Sequence, residues 1–307
     1  MSKLNVTVSP HLRHKDTTQS IMRDVLIALA PAAIAAIVLF GIRALLLEVV
    51  CVGTAIFWEW AFQKICKRKC TVCDLSAAVT GLILALNLPS TLPLWQAAFG
   101  TLVAIVVVKQ LFGGIGYNFA NPAITARVVM LIAFAGTMTT WTTPAFADAV
   151  SGATPLAQLG AGENVSLMSL FLGTVGGSMG ETSALALLIG FVYLLVRRVI
   201  TWHTPVAFIA TVFVLSLLKG GFEFGLAQIL AGGVFLGAIF MATDYVTTPQ
   251  TPAGRLVFGI GCGLITCLIR FFGAYPEGVS FSILLMNILT PYISKWTASK
   301  PFGGVKA

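Results

Sequence analysis

The residues equipped for chemistry lie in a few short stretches. Asp148-Ala-Val-Ser151-Gly152-Ala153-Thr154 ends in a hydroxyl set among small side chains, with Pro155 behind it. A threonine oxygen with that much room is open to a modifying enzyme and can carry a phosphoester; on spacing alone the same residues also make an ordinary turn. Cys66, Cys70 and Cys73 form C-x3-C-x2-C among four basic residues. Three thiolates so spaced can ligate an iron–sulfur cluster, and neighbouring lysines favour the thiolate. A fourth ligand is not evident, and in a reducing cytosol the three serve equally as free thiols. Glu48 and Glu59, eleven residues apart, fall on one helix face because that separation is about three turns. With Asp244 they are the acids that could line an ion pathway, since carboxylates in a bilayer face the bundle interior. Asn118, Asn121 and Arg127 belong to G-G-I-G-Y-N-F-A-N-P-A-I-T-A-R, a polar, broken run between two apolar ones. It reads either as a connecting loop or as a re-entrant segment lining a ligand site. The run M-A-T-D-Y-V-T-T-P-Q-T-P-A-G-R at 241–255 is its counterpart. His11, His14 and His203 form no ligand cluster, no metal site is expected, and neither a P-loop nor a dinucleotide fingerprint is present.

Those residues must be positioned by a structure that lives in lipid. Of 307 residues, 57% are hydrophobic and 10% charged, against about 25% charged in soluble domains; mean hydropathy is +0.93. The net charge of +8 does not form a nucleic-acid surface, because Lys and Arg sit at the ends of apolar runs. The first twenty residues are polar and basic, so the first apolar run is expected to stay as a span rather than be removed. A spanning helix needs about 20 residues, and apolar runs lie near 22–40, 43–63, 74–89, 93–112, 122–138, 182–200, 204–219, 225–242, 253–272 and 279–296, of which 74–89 and 204–219 are short enough to be tilted or interrupted helices. The expectation is an all-α integral membrane protein with about ten spans in two halves of five.

Orientation follows from the flanking cations. With the N-terminus inside, sixteen Lys and Arg residues, Lys109 and Arg127 among them, lie on the inner side and only Arg43, Lys219 and Arg270 on the outer. The divisions are then an inner segment 1–21, a first half 22–138, an outer loop 139–181 holding Thr154, a second half 182–296 and an inner tail 297–307. Residues 166–180 are apolar enough to span, but a span there would reverse the charge asymmetry, so a half-helix or surface helix is expected. Inverted halves are a transporter device. The echo of N-P-A-I-T-A-R at 121–127 in T-P-A-G-R at 251–255 runs in the same direction and sets no repeat register.

Asp-x-x-Ser-Gly-Ala-Thr resembles the motif at which a flavin transferase attaches FMN through its phosphate to threonine. Joined to ten spans, S-P-H-L-R-H at 9–14 and N-F-A-N-P-A at 118–123, it makes the whole chain similar to the D subunits of Rnf ion-translocating ferredoxin:NAD oxidoreductases. The B subunits of sodium-translocating NADH:quinone reductases are related but carry a longer N-terminal extension. The resemblance implies a urea-transporter-like fold, Thr154 as covalent FMN acceptor, and Asp148, Ser151, Gly152 and Ala153 as the residues the transferase reads. It also allows a second, non-covalent flavin (riboflavin) near Asn118, Asn121 and Arg127; Cys66, Cys70 and Cys73 match nothing in the family. The function implied is that of a flavoprotein subunit of a redox-driven Na+ or H+ pump in the cytoplasmic membrane, inactive alone. Its implied partners are an FMN-bearing outer-face subunit, iron–sulfur subunits, and the flavin transferase during maturation. A urea-transporter-like channel without redox work is the alternative from another class.

Overall fold

The computed structural model describes residues 16–142, 144, 154–163, 165–273 and 278–298, and within these it contains helices and no strand. Asp148, Ser151, Gly152 and Ala153 lie outside the described residues.

Helix α1 spans Thr18–Phe40, opened by a reciprocal capping box between Thr17 and Ser20, and Gly41, at φ 73°, ends it and begins α2, Ile42–Ile65. The two form a hairpin with a one-residue corner. A 3₁₀ turn, Val72–Asp74, leads to α3, Ser76–Leu86, and α4, Leu94–Leu102, continues as a π-helix over Val103–Gln110. Asn121 caps α5, Pro122–Ala133, with Pro122 in its first turn, and α6, Ala135–Met138, follows. Beyond the partly described loop come two short helices, α7 at Pro155–Gly160 and α8 at Leu167–Leu172. Then follow α9, Ala184–Val196, and α10, His203–Leu230. A short α11, Val234–Leu236, passes into a second π-helix, Gly237–Met241. Helices α12, Pro252–Phe272, and α13, Val279–Trp296, complete the chain.

Four helices, α1, α2, α10 and α12, are long and apolar enough to cross a membrane whole, and α3, α4, α5 and α9 are shorter apolar helices. The chain is an all-α, multi-pass membrane protein. The separation expected between runs 204–219 and 225–242 is present as a break within α10, and the second run is itself divided. Gly221, at φ 85° and ψ −175°, breaks α10. Twelve residues of straight helix would hold Phe213 and Gly225 about 18 Å apart, yet a Cβ on Gly225 would lie 3.1 Å from the Phe213 ring. The last part of α10 therefore folds back along the first, and the next apolar run proceeds in pieces through α11.

The expected runs 74–89 and 182–200 are likewise broken. Residues 84–90 and 176–184 are continuously buried, although 87–93 and 173–183 are not helical. Their backbones meet: Gly180 N–H donates to Leu86 O at 2.7 Å and Met179 N–H to Leu88 O at 3.1 Å. Non-helical backbone survives in a membrane interior only when protein satisfies it, and here the two passages supply bonds to each other. Residues 166–180 therefore form a short helix, Leu167–Leu172, followed by a buried run of bends and turns, which agrees with the half-helix expectation. At the end of the bundle where α1 begins, called here the near end, Asp24 of α1 accepts from Tyr193 Oη at 3.1 Å and from Arg197 Nη2 of α9 at 3.0 Å.

Candidate functional site

Thr154 begins α7. Its Oγ1 accepts the Ala157 N–H at 3.2 Å, the bond of an N-cap, and Pro155 fills the first helical position. The sequence suggests an open hydroxyl; in the structure Thr154 is 6% exposed. The reason is Leu156, which packs with Leu170 of α8 and with Ala227 and Ala231 of α10 and draws the start of α7 onto the bundle. Leu156 and the Arg270 guanidinium of α12 both lie over Gly232, where a side chain would strike Leu156 Cδ1 and come 2.6 Å from Arg270 Nη2. Arg270 donates to Gln228 O, Gln228 Oε1, Ala231 O and Gly232 O at 2.6–3.1 Å. It thereby holds the break between α10 and α11 and brings a cation to the face on which Thr154 sits.

A second constellation lies at the near end. A cavity of about 410 Å³ opens among Thr18, Ser76, Lys109, Asn118, Asn121 and Asp244, with apolar walls that include Ile83 and Phe240. Asn118 Nδ2 donates to Asp244 Oδ2 at 3.3 Å and to Ala120 O at 3.0 Å, and Asn121 Nδ2 donates to Met241 O at 3.2 Å. Thr247 Oγ1 also donates to Asp244, at 3.1 Å. Burial raises the Asp244 carboxyl above its ordinary range, against the pull of the Thr247 and Asn118 hydrogen bonds. The two irregular loops, 113–121 and 242–251, are thus tied face to face. Asn287 of α13 bridges both, donating to Thr247 O at 3.3 Å and accepting from Asn121 N–H at 3.1 Å. Each loop follows a π-helix, a distortion that frequently accompanies functional sites.

Arg127 does not join this group. It lies one and a half turns along α5, buried, and donates to Asn87 Oδ1 at 2.9 Å and Ser280 Oγ at 3.1 Å. The sequence places it with the asparagines by proximity in the chain; the helix carries it away from them, toward the broken passage after α3.

Glu48 and Glu59 are both buried on α2, as their spacing predicts. Glu59 is fully closed off. It takes Lys109 Nζ on both oxygens at 3.1 and 2.9 Å, and its Oε1 also accepts from Gln110 Nε2 at 2.8 Å and Gln63 Nε2 at 3.3 Å. Lys109 donates further to Ser76 Oγ at 2.6 Å. Lys109, counted in the sequence as an orientation charge, is instead the internal partner of Glu59; the signal available was one lysine inside an apolar run. Glu48 Oε1 has no hydrogen-bond partner. Cys66, Cys70 and Cys73 are exposed, and among the described residues no three His, Cys, Asp or Glu side chains group as metal ligands. Cys51, Cys262 and Cys267 are buried, as expected of small apolar side chains.

Comparison with known proteins identifies the family. Residues 5–303 match the NQR2, RnfD, RnfE family. The chain is 47% identical over 313 residues to the D subunit of the Na(+)-translocating ferredoxin:NAD(+) oxidoreductase complex of Acetobacterium woodii, covering 100% of this chain and 98% of that one. It is 39% identical over 317 residues to the D subunit of the proton-translocating ferredoxin:NAD(+) oxidoreductase complex of Clostridium ljungdahlii, covering 97% and 96%. To the D subunit of the ion-translocating oxidoreductase complex of Stutzerimonas stutzeri the identity is 37% over 329 residues, covering 94% and 93%. The chain therefore belongs to the NQR2, RnfD, RnfE family, alongside the D subunits of Rnf complexes, and is a membrane subunit of an ion-translocating oxidoreductase.

Proposed function

We propose that this subunit carries FMN as a phosphoester on Thr154 and relays electrons between partner subunits, those partners handling ferredoxin and NAD while the bundle couples the relay to movement of Na+ or H+. The observation that carries the reading is Asp148-x-x-Ser151-Gly152-Ala153-Thr154 placed at the head of a helix that Leu156 fastens to the bundle. The local chemistry fits a phosphoester. The Thr154 oxygen stands within the loop 139–181, which includes no Lys or Arg, and Arg270 supplies a positive group on the same face. FMN held there supplies one-electron acceptance and donation. The chain's own part is to fix the tether's origin through the Leu156 contact and to keep charge balanced beside it.

The near-end cavity suits a second, non-covalent flavin such as riboflavin. Its volume of about 410 Å³ falls within the roughly 300–1,000 Å³ of cofactor pockets, and it pairs apolar walls with a few polar groups. Asn118, Asn121 and Asp244 would orient such a ring; Arg127 would act through Asn87 and Ser280. Taken with the cation asymmetry, the near end is the cytoplasmic end, Thr154 faces outward, and ten crossings form halves at 22–138 and 182–296.

The decisive experiment expresses the chain with a flavin transferase and looks for flavin fluorescence in its band on a denaturing gel. Fluorescence in the wild type, absent from Thr154→Ala, is expected. A dark wild-type band would overturn the relay, and fluorescence persisting in Thr154→Ala would overturn the site.

A further inference from the structure

The passage 173–183 holds two buried oxygens that neither the flavin nor the helix packing uses. Glu181 is 7% exposed and Ser178 is fully buried. Glu181 Oε1 accepts the Ser178 N–H at 3.0 Å, which places the carboxylate against that turn. Glu181 Oε2 and Ser178 Oγ have no hydrogen-bond partner. Among the described residues Glu181 forms no ion pair. Arg270, which lies against the neighbouring Gly232, donates to Gln228, Ala231 and Gly232.

The surroundings are shaped to this carboxylate. A Cβ on Gly177 would stand 2.8 Å from Glu181 Oε1, and one on Gly233 would stand 3.0 Å from Oε2. Glycine on both sides leaves the carboxylate room that any other residue would take. The depth is internal too: Leu86, bonded to Gly180, lies roughly 16 Å along α3 from its start, about half of a hydrocarbon core of some 30 Å.

A bare carboxylate at that depth costs several kcal/mol, so something neutralises it. A proton on Oε2 would remove the charge but would add a donor, and among the described residues Oε2 has no partner within hydrogen-bond distance to accept it. A small hard cation uses both oxygens and any carbonyl that the non-helical backbone turns inward, the way broken spans of transporters bind ions. One carboxylate balances one positive charge. We infer that Glu181 and Ser178 form a binding site for a dehydrated monovalent cation where the two halves meet. The inference rests on membership of an ion-translocating complex and not on FMN at Thr154.

The test follows thermal unfolding of the purified full-length chain in detergent, with NaCl, LiCl or KCl replacing choline chloride at constant ionic strength and pH. A saturable stabilisation by one of these cations is expected in the wild type and equally in Thr154→Ala, which separates this site from the flavin. Ser178→Ala, which breaks no hydrogen bond of the hydroxyl, should weaken the apparent affinity by about tenfold or more without moving the melting point in choline. Glu181→Gln should abolish the response. No cation-specific shift in the wild type, a shift that pH alone produces, or an undiminished response in Ser178→Ala would each overturn the site. If Glu181→Gln does not fold, the Ser178→Ala comparison decides.

Discussion

Lys109 Nζ lies 2.9 Å from Glu59 Oε2, with the two side chains 4% and 0% exposed. The pair joins the π-helical end of α4 to the last third of α2, and Gln110, Gln63 and Ser76 complete its hydrogen bonds. Burying either charge alone is expensive, whereas burying the complete pair is nearly neutral. Lys109→Met, which strands Glu59, should cost about 3–5 kcal/mol of stability. The double variant Glu59→Gln/Lys109→Met should recover most of that loss. Denaturant melts of the two proteins in detergent check it; an additive double variant would show that the pair is not a unit.

The asparagine that caps α5 has two tasks. Asn121 Oδ1 accepts the Ala123 and Ile124 N–H groups at 3.0 and 3.3 Å, while its Nδ2 reaches Met241 O in the other half. Asn121→Ala should cost about 0.5–2 kcal/mol as a lost cap and should loosen the junction of the two loops. Asn118→Leu, by contrast, should spare α5 and reduce the flavin released by acid from the purified complex, leaving the covalent flavin band unchanged. Equal acid-released flavin in Asn118→Leu and wild type would rule out the near-end cavity as a flavin site.

Much of this architecture is legible in the sequence where hydropathy alone decides. The runs 22–40, 253–272 and 279–296 become Thr18–Phe40, Pro252–Phe272 and Val279–Trp296, because an uninterrupted apolar helix follows from satisfying its backbone in lipid. The broken spans are not legible. Nothing in N-L-P-S-T-L-P or G-G-S-M-G-E-T-S states that the two passages pair with each other, since that bond joins residues far apart in the chain. Charge counting does not reveal pairing for the same reason. Lys109 looks like a flanking cation until Glu59 is seen beside it, and Arg127 looks like part of the Asn118–Asn121 group until α5 turns it toward Asn87. Glu181 gives no signal at all, being one acid in a stretch of small residues.

The raised Asp244 carboxyl sets a pH dependence. Its folded pKa lies above the ordinary 3.8 because burial disfavours the anion. The favourable contribution of its neutral form is therefore complete below the unfolded value and is lost as pH rises through the folded one. Asp244→Asn should consequently melt higher than wild type near neutral pH, with the gap closing as the pH falls toward 3.8. Melting curves across that range decide it, and a gap that widens on acidification would contradict the sign.

The docking of α7 makes the last prediction. Gly232 has φ +69°, which a side chain rarely adopts, and a Cβ there would collide with Leu156 and crowd Arg270. Gly116, at φ +89° with nothing within 4 Å of a Cβ, carries the conformational strain without the collision. Alanine at Gly116 therefore measures strain alone, and alanine at Gly232 measures strain plus displacement of Leu156. Gly232→Ala should cost about 1–3 kcal/mol more than Gly116→Ala, and it alone should expose the 154–163 segment to added protease. Because Leu156 is what draws Thr154 onto the bundle, the same substitution should leave Thr154 more open to the flavin transferase. Flavin should then be attached at an equal or faster rate, while electron transfer by the assembled complex falls. A Gly232→Ala protein with slower flavin attachment but an intact protease pattern would show instead that the transferase recognises α7 in its docked position.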